Sequence, residues 1–367
     1  MVETKPLAIL SAGGTGGHMF PAQALAEELL LRGWEVKLST DERGARFTKN
    51  FPEAVKIEIV PSATFARQGL IHKMKAPFLI FLGVFAALKA FWRHRPNIIV
   101  GFGGYPTIPA LIASIFMRLP RIIHEQNGIL GKVNHLFAKN VHLVACGTWP
   151  TTIPENIKYE HVGNPVRKEI LGRSGSPYIP PGNHPMSILI MGGSQGARIL
   201  SNIVPEAISN LPDELLKYIR VFQQAREEDC QRVKSYYVAN GIACEVLPFF
   251  DNIAKHLSEA QLIISRSGAS SVADIGVVGR PSILVPLGSA VKDEQTLNAG
   301  PLKKVRAATV IAEQNLTVQR LNKAILKILS SPENASKMAV NAHKTVVLDA
   351  TEKLADRVEE ISGYSNR

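Results

Sequence analysis

The sequence is poor in cysteine, has no long apolar run and carries fewer acidic than basic side chains. Cys146, Cys230 and Cys244 are scattered without paired spacing. That excludes a disulfide-built fold and a cysteine zinc site, and it fits a chain kept reduced in a cytosol. Met1 to Pro6 lead directly into a strand pattern, so no signal peptide is expected. The charge-free segment Ala76–Leu88 falls well short of the roughly 20 residues that a bilayer-spanning helix needs. Low-complexity tracts, zinc-finger spacing, an RNA-binding aromatic signature and a long basic tail are all missing from the sequence, which argues against a nucleic-acid partner. Lys and Arg number 42 against 31 Asp and Glu, a formal charge of +11. Such a balance suits anionic partners, either phosphorylated ligands or an anionic membrane surface.

What is present is a two-fold restart. The length of 367 residues is that of two domains. In the first half, strand patterns at Leu7–Ser11, Glu35–Ser39, Ile57–Val60, Ile98–Val100, Arg121–His124 and Val141–Ala145 alternate with helical stretches. The second half repeats this at Ser187–Met191, Ile219–Gln223, Cys244–Leu247, Leu262–Ser265, Ser282–Val285 and Ala308–Ile311, and it closes on helical patterns at Thr317–Leu329, Ala335–Leu348 and Thr351–Ile361. Alternation of this kind predicts an α/β chain with two Rossmann-like parallel-sheet domains facing each other across a cleft. Between them, Gly, Pro, Ser and Asn crowd the stretch from Gly163 to Pro185. The expected boundaries are 1–164, a linker at 165–185, 186–345, and a last helical stretch at 346–367 that packs back on the first domain.

Ligands of parallel sheets bind beyond the carboxyl ends of the strands, and the Gly-rich loops fall there. Gly13-Gly14-Thr15-Gly16-Gly17-His18 follows the first strand and precedes a helix that Pro21 is expected to open. Backbone N–H groups at a helix start suit a phosphate or a sugar hydroxyl. His18 adds an imidazole, the side chain that exchanges protons near neutral pH. It is the candidate base, and Glu125 in His124-Glu125-Gln126-Asn127-Gly128 is the alternative. Gly101-Phe102-Gly103-Gly104-Tyr105-Pro106 forms another such loop. The G-x-G-x-x-G dinucleotide fingerprint fails in both glycine loops, because its third glycine is replaced by Met19 and by Pro106. Asp41, at the end of the second strand, keeps a nicotinamide dehydrogenase in view as a rival. In the second half, Gly192-Gly193-Ser194-Gln195-Gly196-Ala197-Arg198 and Ser265–Asp274 take the same positions. Ser194 is placed for a diphosphate, Asp274 for ribose hydroxyls or for the helix dipole, and Glu294 with Gln295 for sugar hydroxyls.

Taken in order, Gly13–His18, Gly101–Tyr105, His124–Asn127, Gly163-Asn164-Pro165-Val166-Arg167, Gly192–Arg198, Ser267-Gly268-Ala269 and Asp293–Asn298 resemble the bacterial MurG glycosyltransferase family over about residues 7–300. The resemblance implies the GT-B fold. It implies an inverting transferase that moves N-acetylglucosamine from UDP-N-acetylglucosamine to the 4-hydroxyl of the undecaprenyl-pyrophosphoryl-N-acetylmuramoyl-pentapeptide, turning lipid I into lipid II in peptidoglycan synthesis. It also implies acceptor binding on the first domain, donor binding mainly on the second, no cofactor and no essential metal, and no Asp-x-Asp metal motif occurs in the sequence. Carried over by motif, Thr15, Gly16 and Gly17 line the donor site and Asn127 contacts the sugar ring. Arg167 and Ser194 serve the diphosphate, Phe250 gives a backbone contact to uracil, and Gln295 binds sugar hydroxyls. Asp274 stands where a glutamate commonly binds the ribose, and Glu294 where a glutamine can occur. Other two-domain sugar-nucleotide enzymes, a diacylglycerol glucosyltransferase or a UDP-sugar epimerase, share these features, and a non-catalytic membrane-surface module is a further alternative.

Basic residues flank Ala76–Leu88: Arg67, His72, Lys73 and Lys75 before it, Lys89, Arg93 and Arg95 after it. The segment reads either as a buried core helix or as an apolar face resting on an anionic membrane. Together with the resemblance, the second reading implies a protein held peripherally on the cytoplasmic face of the bacterial inner membrane.

Overall fold

The computed structural model of the chain describes residues 5–60, 70–193, 196–288 and 293–364, with the backbone alone for 70–76. The chain divides into two units, Met1–Arg167 with Val347–Arg367, and Lys168–Val346. In the first unit, β1 (Leu7–Ser11), β2 (Glu35–Thr40), β3 (Lys56–Ile59), β4 (Ile98–Gly101), β5 (Arg121–Glu125), β6 (Leu143–Cys146) and β7 (Tyr159–His161) form a parallel sheet ordered β3-β2-β1-β4-β5-β6-β7. With them run the helices α1 (Gly16–Leu31), α2 (Leu70–Arg93), α3 (Thr107–Phe116) and α4 (Lys132–Phe137). β1, β4 and β6 are buried along their whole length, as expected of near-continuous apolar strands covered on both faces.

The second unit repeats the plan. It holds α5 (Lys168–Leu171), β8 (Met186–Met191), α6 (Arg198–Ser209), α7 (Asp213–Leu216), β9 (Ile219–Gln224), α8 (Glu227–Ala239), β10 (Ala243–Leu247) and α9 (Ile253–Glu259). β11 (Ala260–Ser265), α10 (Ala269–Val278), β12 (Ser282–Leu284), α11 (Glu294–Lys304), β13 (Ala308–Val310), α12 (Val318–Leu329) and α13 (Pro332–His343) follow. Its parallel sheet is ordered β10-β9-β8-β11-β12-β13. In each sheet the chain first moves outward from one strand and then returns to that strand's other side. The switch points lie between β1 and β4 and between β8 and β11, and in open parallel sheets these are where ligands bind.

The segment after α5 packs into the second unit. The buried guanidinium of Arg280 donates to the carbonyls of Ser176 and Pro177 at 3.2 Å each, and to that of Ser258. Tyr178 Oη donates to Gln261 O at 2.9 Å. The chain returns to the first unit at Val347, where α14 (Ala350–Ser362) lies against α1. Leu354, Ala355 and Val358 are buried there with Leu25, Leu29 and Trp34. Arg32, at the end of α1, donates to Glu28, Asp356 and Glu359 at 2.7–2.9 Å.

Four elements differ from the sequence-based expectation. α1 starts at Gly16, so Pro21 lies one turn inside it. The preceding Gly-Gly-His turn is already helical, and its first N–H groups need no partner within the helix. α1 is also apolar on two sides, because α14 covers the side away from the sheet. β7 was not expected: it is short, lies at the sheet edge and has no apolar alternation. α13 starts at Pro332 and ends at His343, since a proline suits the first helical turn and the run Thr345-Val346-Val347 disfavours continuation. α2 is longer than the charge-free run and is not a core helix. It buries Gly83 and Phe91 but exposes Phe78, Phe81, Leu82, Phe85 and Trp92.

All three tryptophans, Trp34, Trp92 and Trp149, lie in the first unit. Tryptophan fluorescence therefore reports that unit's unfolding. Leu354→Ala, which empties a fully buried site on α14, should destabilise the fluorescence-detected transition in urea by about 2–5 kcal/mol. An unchanged midpoint would show that α14 contributes nothing to the first unit's stability.

Candidate functional site

At the first switch point the loops after β1 and β4 meet. Phe102 N–H donates to Ser11 O at 2.8 Å and brings the second loop alongside the first. Gly103 and Gly104 have φ of +96° and +82°. A β-carbon on Gly104 would lie 2.9 Å from Gly13 O, and one on Gly103 would lie 3.2 Å from His18 Nε2. Only glycine allows this approach. Thr15 is the N-cap of α1, and its carbonyl accepts from the N–H groups of His18 and Met19 at 3.2 Å. Its hydroxyl makes no capping bond. Gly16 and Gly17 supply the first N–H groups of the helix.

His18 Nδ1 lies 2.8 Å from Gly13 O. A carbonyl oxygen can only accept, so Nδ1 carries the proton and the neutral ring keeps its lone pair on Nε2. The loop thus selects the tautomer that a base requires. The ring is half-buried, leaving a path for a reacting hydroxyl.

Glu125, the alternative base, ends β5 and is buried. Its Oε1 accepts from Asn127 N and Nδ2 at 3.0 and 2.9 Å, and its Oε2 accepts from Gly131 N at 2.8 Å and Asn134 Nδ2 at 2.9 Å. A carboxylate offers about four lone-pair positions, and these four donors fill them. Glu125 thereby shapes the loop that presents Asn127. Asp41 is likewise structural. Its Oδ1 accepts from Gly14 N and Gly44 N at 3.1 and 2.8 Å, which removes the ribose-binding acid that a dehydrogenase would need.

Asn134 was missed by the sequence reading. It is buried, its Nδ2 lies 3.3 Å from where a β-carbon on Gly103 would sit and donates to Glu125 Oε2, and it so links the loop after β4 to Glu125. Its only sequence signal is an asparagine three residues before Phe137, on the inward face of a short helix. Arg167 is buried with its guanidinium 4.4 Å over the Phe20 ring, two residues after His18 on α1. The structure thus gathers Thr15, Gly16, Gly17, His18 and Arg167 about the start of α1, with Glu125 and Asn127 on the loop after β5.

At the second switch point, Gly192 N–H donates to Gln224 Oε1 at 3.2 Å and Gly196 N–H to Gly193 O at 3.0 Å. Ser194 lies outside the described residues. β11 runs into Arg266-Ser267-Gly268 and the start of α10. Asp274 is half-buried in the second turn of α10, beyond the first turn to which a dipole effect is confined. Glu294 and Gln295 open α11. Gln295 Oε1 accepts from Leu287 N–H at 3.0 Å, so its amide NH2 is the part left to meet a ligand. The Phe250 ring is buried against His256 at 4.8 Å between centroids, which leaves the backbone there as the feature a ligand would meet. Arg266, also missed, pairs with Glu313 at 2.7 Å and donates to Val285 O at 3.2 Å. Glu313 in turn accepts from Gly288 N–H at 3.1 Å, bracing the loop after β12.

Two parallel-sheet units, each with glycine loops at its switch point, define a GT-B-type glycosyltransferase. Residues 8–146 match the glycosyltransferase family 28 N-terminal domain and residues 187–358 the family 28 C-terminal domain. The chain belongs to glycosyltransferase family 28. It is 43% identical over 357 residues, 96% of this chain and 98% of the relative, to a protein of Caulobacter vibrioides. It is 43% identical over 363 residues, 98% of this chain and 97% of the relative, to one of Rhizobium meliloti. Both are named UDP-N-acetylglucosamine--N-acetylmuramyl-(pentapeptide) pyrophosphoryl-undecaprenol N-acetylglucosamine transferase. The crystal structure of MurG from Acinetobacter baumannii is similar with a TM-score of 0.77 at 28% identity, covering 97% of this chain and all of that one.

His124, beside Glu125, is fully buried. Its Nε2–H donates to Gly163 O at 3.1 Å and its Nδ1 accepts from Gln126 Nε2 at 3.1 Å. Burial pushes its pKa from 6.5 down to about 4, partly opposed by the bond to Gly163. The native ring stays neutral while the unfolded ring takes a proton near pH 6.5, so its contribution to stability is full above 6.5 and is lost as pH falls toward 4. The first unit should lose up to about 3 kcal/mol over that window through this group. His124→Gln should flatten the fluorescence-detected stability between pH 6.5 and 4, and an equally steep slope in the variant would refute the assignment.

Proposed function

We propose that this chain transfers N-acetylglucosamine from UDP-N-acetylglucosamine to the muramoyl 4-hydroxyl of undecaprenyl-pyrophosphoryl-N-acetylmuramoyl-pentapeptide. The observation that carries the chemistry is the His18–Gly13 hydrogen bond, which leaves Nε2 as an aimed lone pair at the first switch point. The 4-hydroxyl oxygen attacks the anomeric carbon from the face opposite the diphosphate. The bond from that carbon to the diphosphate oxygen breaks, and UDP leaves with the electron pair. The hydroxyl proton passes to His18 Nε2. Attack from the opposite face inverts the anomeric configuration.

The charge growing on the diphosphate needs positioned donors. Arg167, whose guanidinium lies 4.4 Å over the Phe20 ring, and Ser194 are assigned that part, and the first N–H groups of α1 and of α10 are further donors. Asp274 is assigned the ribose hydroxyls, the Phe250 backbone the uracil, and Glu294, Gln295 and Asn127 the sugar hydroxyls. The rigid loop around Glu125 supports this reading for Asn127, since its backbone and side-chain N–H are both fixed.

The lipid acceptor requires access to a membrane surface. Among the described residues no helix is long and apolar enough to cross a membrane. α2 instead offers Phe78, Phe81, Leu82, Phe85 and Trp92, exposed by 42–82%, along one helical stripe at three- and four-residue steps. Lys89, Arg93 and Arg95 beside it are exposed. Arg67 lies outside the described residues, as do the side chains of His72, Lys73 and Lys75. An aromatic stripe with basic neighbours suits the interface of an anionic leaflet, which supports peripheral attachment at the cytoplasmic face of the inner membrane.

Radiolabel transfer from UDP-N-acetylglucosamine to a soluble lipid I analogue tests the reaction. His18→Ala should lower kcat about 10²–10⁴-fold with little change in the donor KM, because loss confined to the transition state appears in kcat. A raised donor KM with near-normal kcat would make His18 a binding residue instead. Replacing Phe81 and Phe85 together with Ser should weaken binding to anionic vesicles at least about tenfold while the soluble acceptor is still used at near-normal rate. Undiminished vesicle binding would detach α2 from the membrane role.

A further inference from the structure

Arg43 stands at the rim of the first glycine loop, and the loop's own architecture does not require it. Asp41 is already fixed by the backbone N–H groups of Gly14 and Gly44. Arg43 Nε adds a bond to Asp41 Oδ2 at 3.2 Å, from a side chain 45% exposed. The pair joins an exposed guanidinium to a carboxylate that is only 8% exposed, through one N–H, a single bond that a lysine could also make. What an arginine adds is the remaining fork of four N–H donors on Nη1 and Nη2. Among the described residues these donors have no other hydrogen-bond partner.

The fork is aimed at the loop. Arg43 Nη2 lies 3.4 Å from where a β-carbon on Gly14 would sit, and Gly14 has φ +85°. The missing side chain at Gly14 thus leaves the guanidinium lying over the loop's backbone, one residue before Thr15 and the open N–H groups of α1. Asp41 fixes the direction of the fork by holding Nε. The result is a cradle with charged donors on one wall and backbone donors on the floor, all within the first unit. Planar bidentate donors of this geometry match phosphate oxygens better than an ammonium does.

Resting on the transferase reading above, we propose that Arg43 binds the pyrophosphate of the lipid-linked acceptor and so sets the register of the muramoyl 4-hydroxyl against His18. The reaction brings two diphosphates to the enzyme, one in the donor and one in the acceptor. Arg167 and the loop of Ser194 are assigned to the donor, which leaves the acceptor's charge to be met on the first unit. Arg43 is the exposed guanidinium at that unit's glycine loop. It acts as a positioning and specificity residue and takes no proton.

The test measures KM for donor and acceptor separately in the wild type, Arg43→Ala and Arg43→Lys, using two soluble acceptors. One is a short-chain prenyl-pyrophosphoryl-muramoyl-pentapeptide and the other an uncharged alkyl glycoside of the same muramoyl-pentapeptide. Arg43→Ala should raise KM for the pyrophosphoryl acceptor at least tenfold and leave the donor KM within twofold, and Arg43→Lys should recover part of the loss. Efficiency on the uncharged acceptor should not change between wild type and Arg43→Ala. An equal loss on both acceptors, or a donor KM that rises in parallel, would mean that Arg43 only braces the loop, and the proposal falls. Unchanged constants overturn it as well. Failure of the wild type to use either acceptor would overturn the transferase reading itself, a different result from any change confined to Arg43 variants.

Discussion

The hydrogen bond from His18 Nδ1 to Gly13 O is the contact on which the candidate chemistry depends. It exists because three constraints coincide. β1 ends at the switch point, the loop after β4 approaches to within a β-carbon's reach of Gly13 O, and α1 starts early enough to place His18 in its first turn. Each is a backbone property. Among the described residues the imidazole has no acidic partner of the kind that orients many catalytic histidines. A carbonyl fixes the tautomer without adding a negative charge next to a site that must receive diphosphates.

The two units use one plan with different bracing. In the first, α1 is enclosed between the sheet and α14, so the loop that carries His18 stands on a helix buried on two sides. In the second, buried Arg280 draws the carbonyls of Ser176, Pro177 and Ser258 together, and Arg266 with Glu313 holds the loop after β12. Burial disfavours the charged form of Arg280 and pulls its pKa from 12.5 down to about 10. Its planar donors are nonetheless well used by carbonyls, and the guanidinium works as a fixed bracket.

Much of this was legible in the sequence because parallel sheets write their strands as apolar runs and their ligand loops as glycine clusters. β1, β4, β5 and β8 were readable for that reason, and with them the loops that carry His18, Asn127 and Asp274. What stayed hidden depends on contacts between distant residues. The start of α1 was misplaced because Pro21 looks like a helix opener in sequence, while the glycines before it give no propensity signal for a helix. β7 pairs only at an edge and lacks alternation. Glu125 looked like a base because a glutamate at a strand end is a sound chemical candidate. That Asn127, Gly131 and Asn134 would all turn their donors on it cannot be read from spacing. The exposed side of α2 was undecidable, because an apolar run has the same composition whether it faces a core or a lipid.

Three of the acids near the loops share one employment. Asp41 accepts from Gly14 and Gly44, Glu125 from Asn127 and Gly131, and Glu313 from Gly288. Each carboxylate ties down backbone N–H; Asp41 and Glu313 also pair with an arginine, and Glu125 accepts a further bond from Asn134. The negative charge in these loops is therefore spent inward, on shape. The Arg43 guanidinium stands beside the first of these loops, 45% exposed. Turned inward, these three carboxylates do not oppose negative charge that gathers outside their loops. The excess of basic over acidic side chains is consistent with this division and is concentrated in effect, because part of the acidic complement is locked behind the loops it shapes.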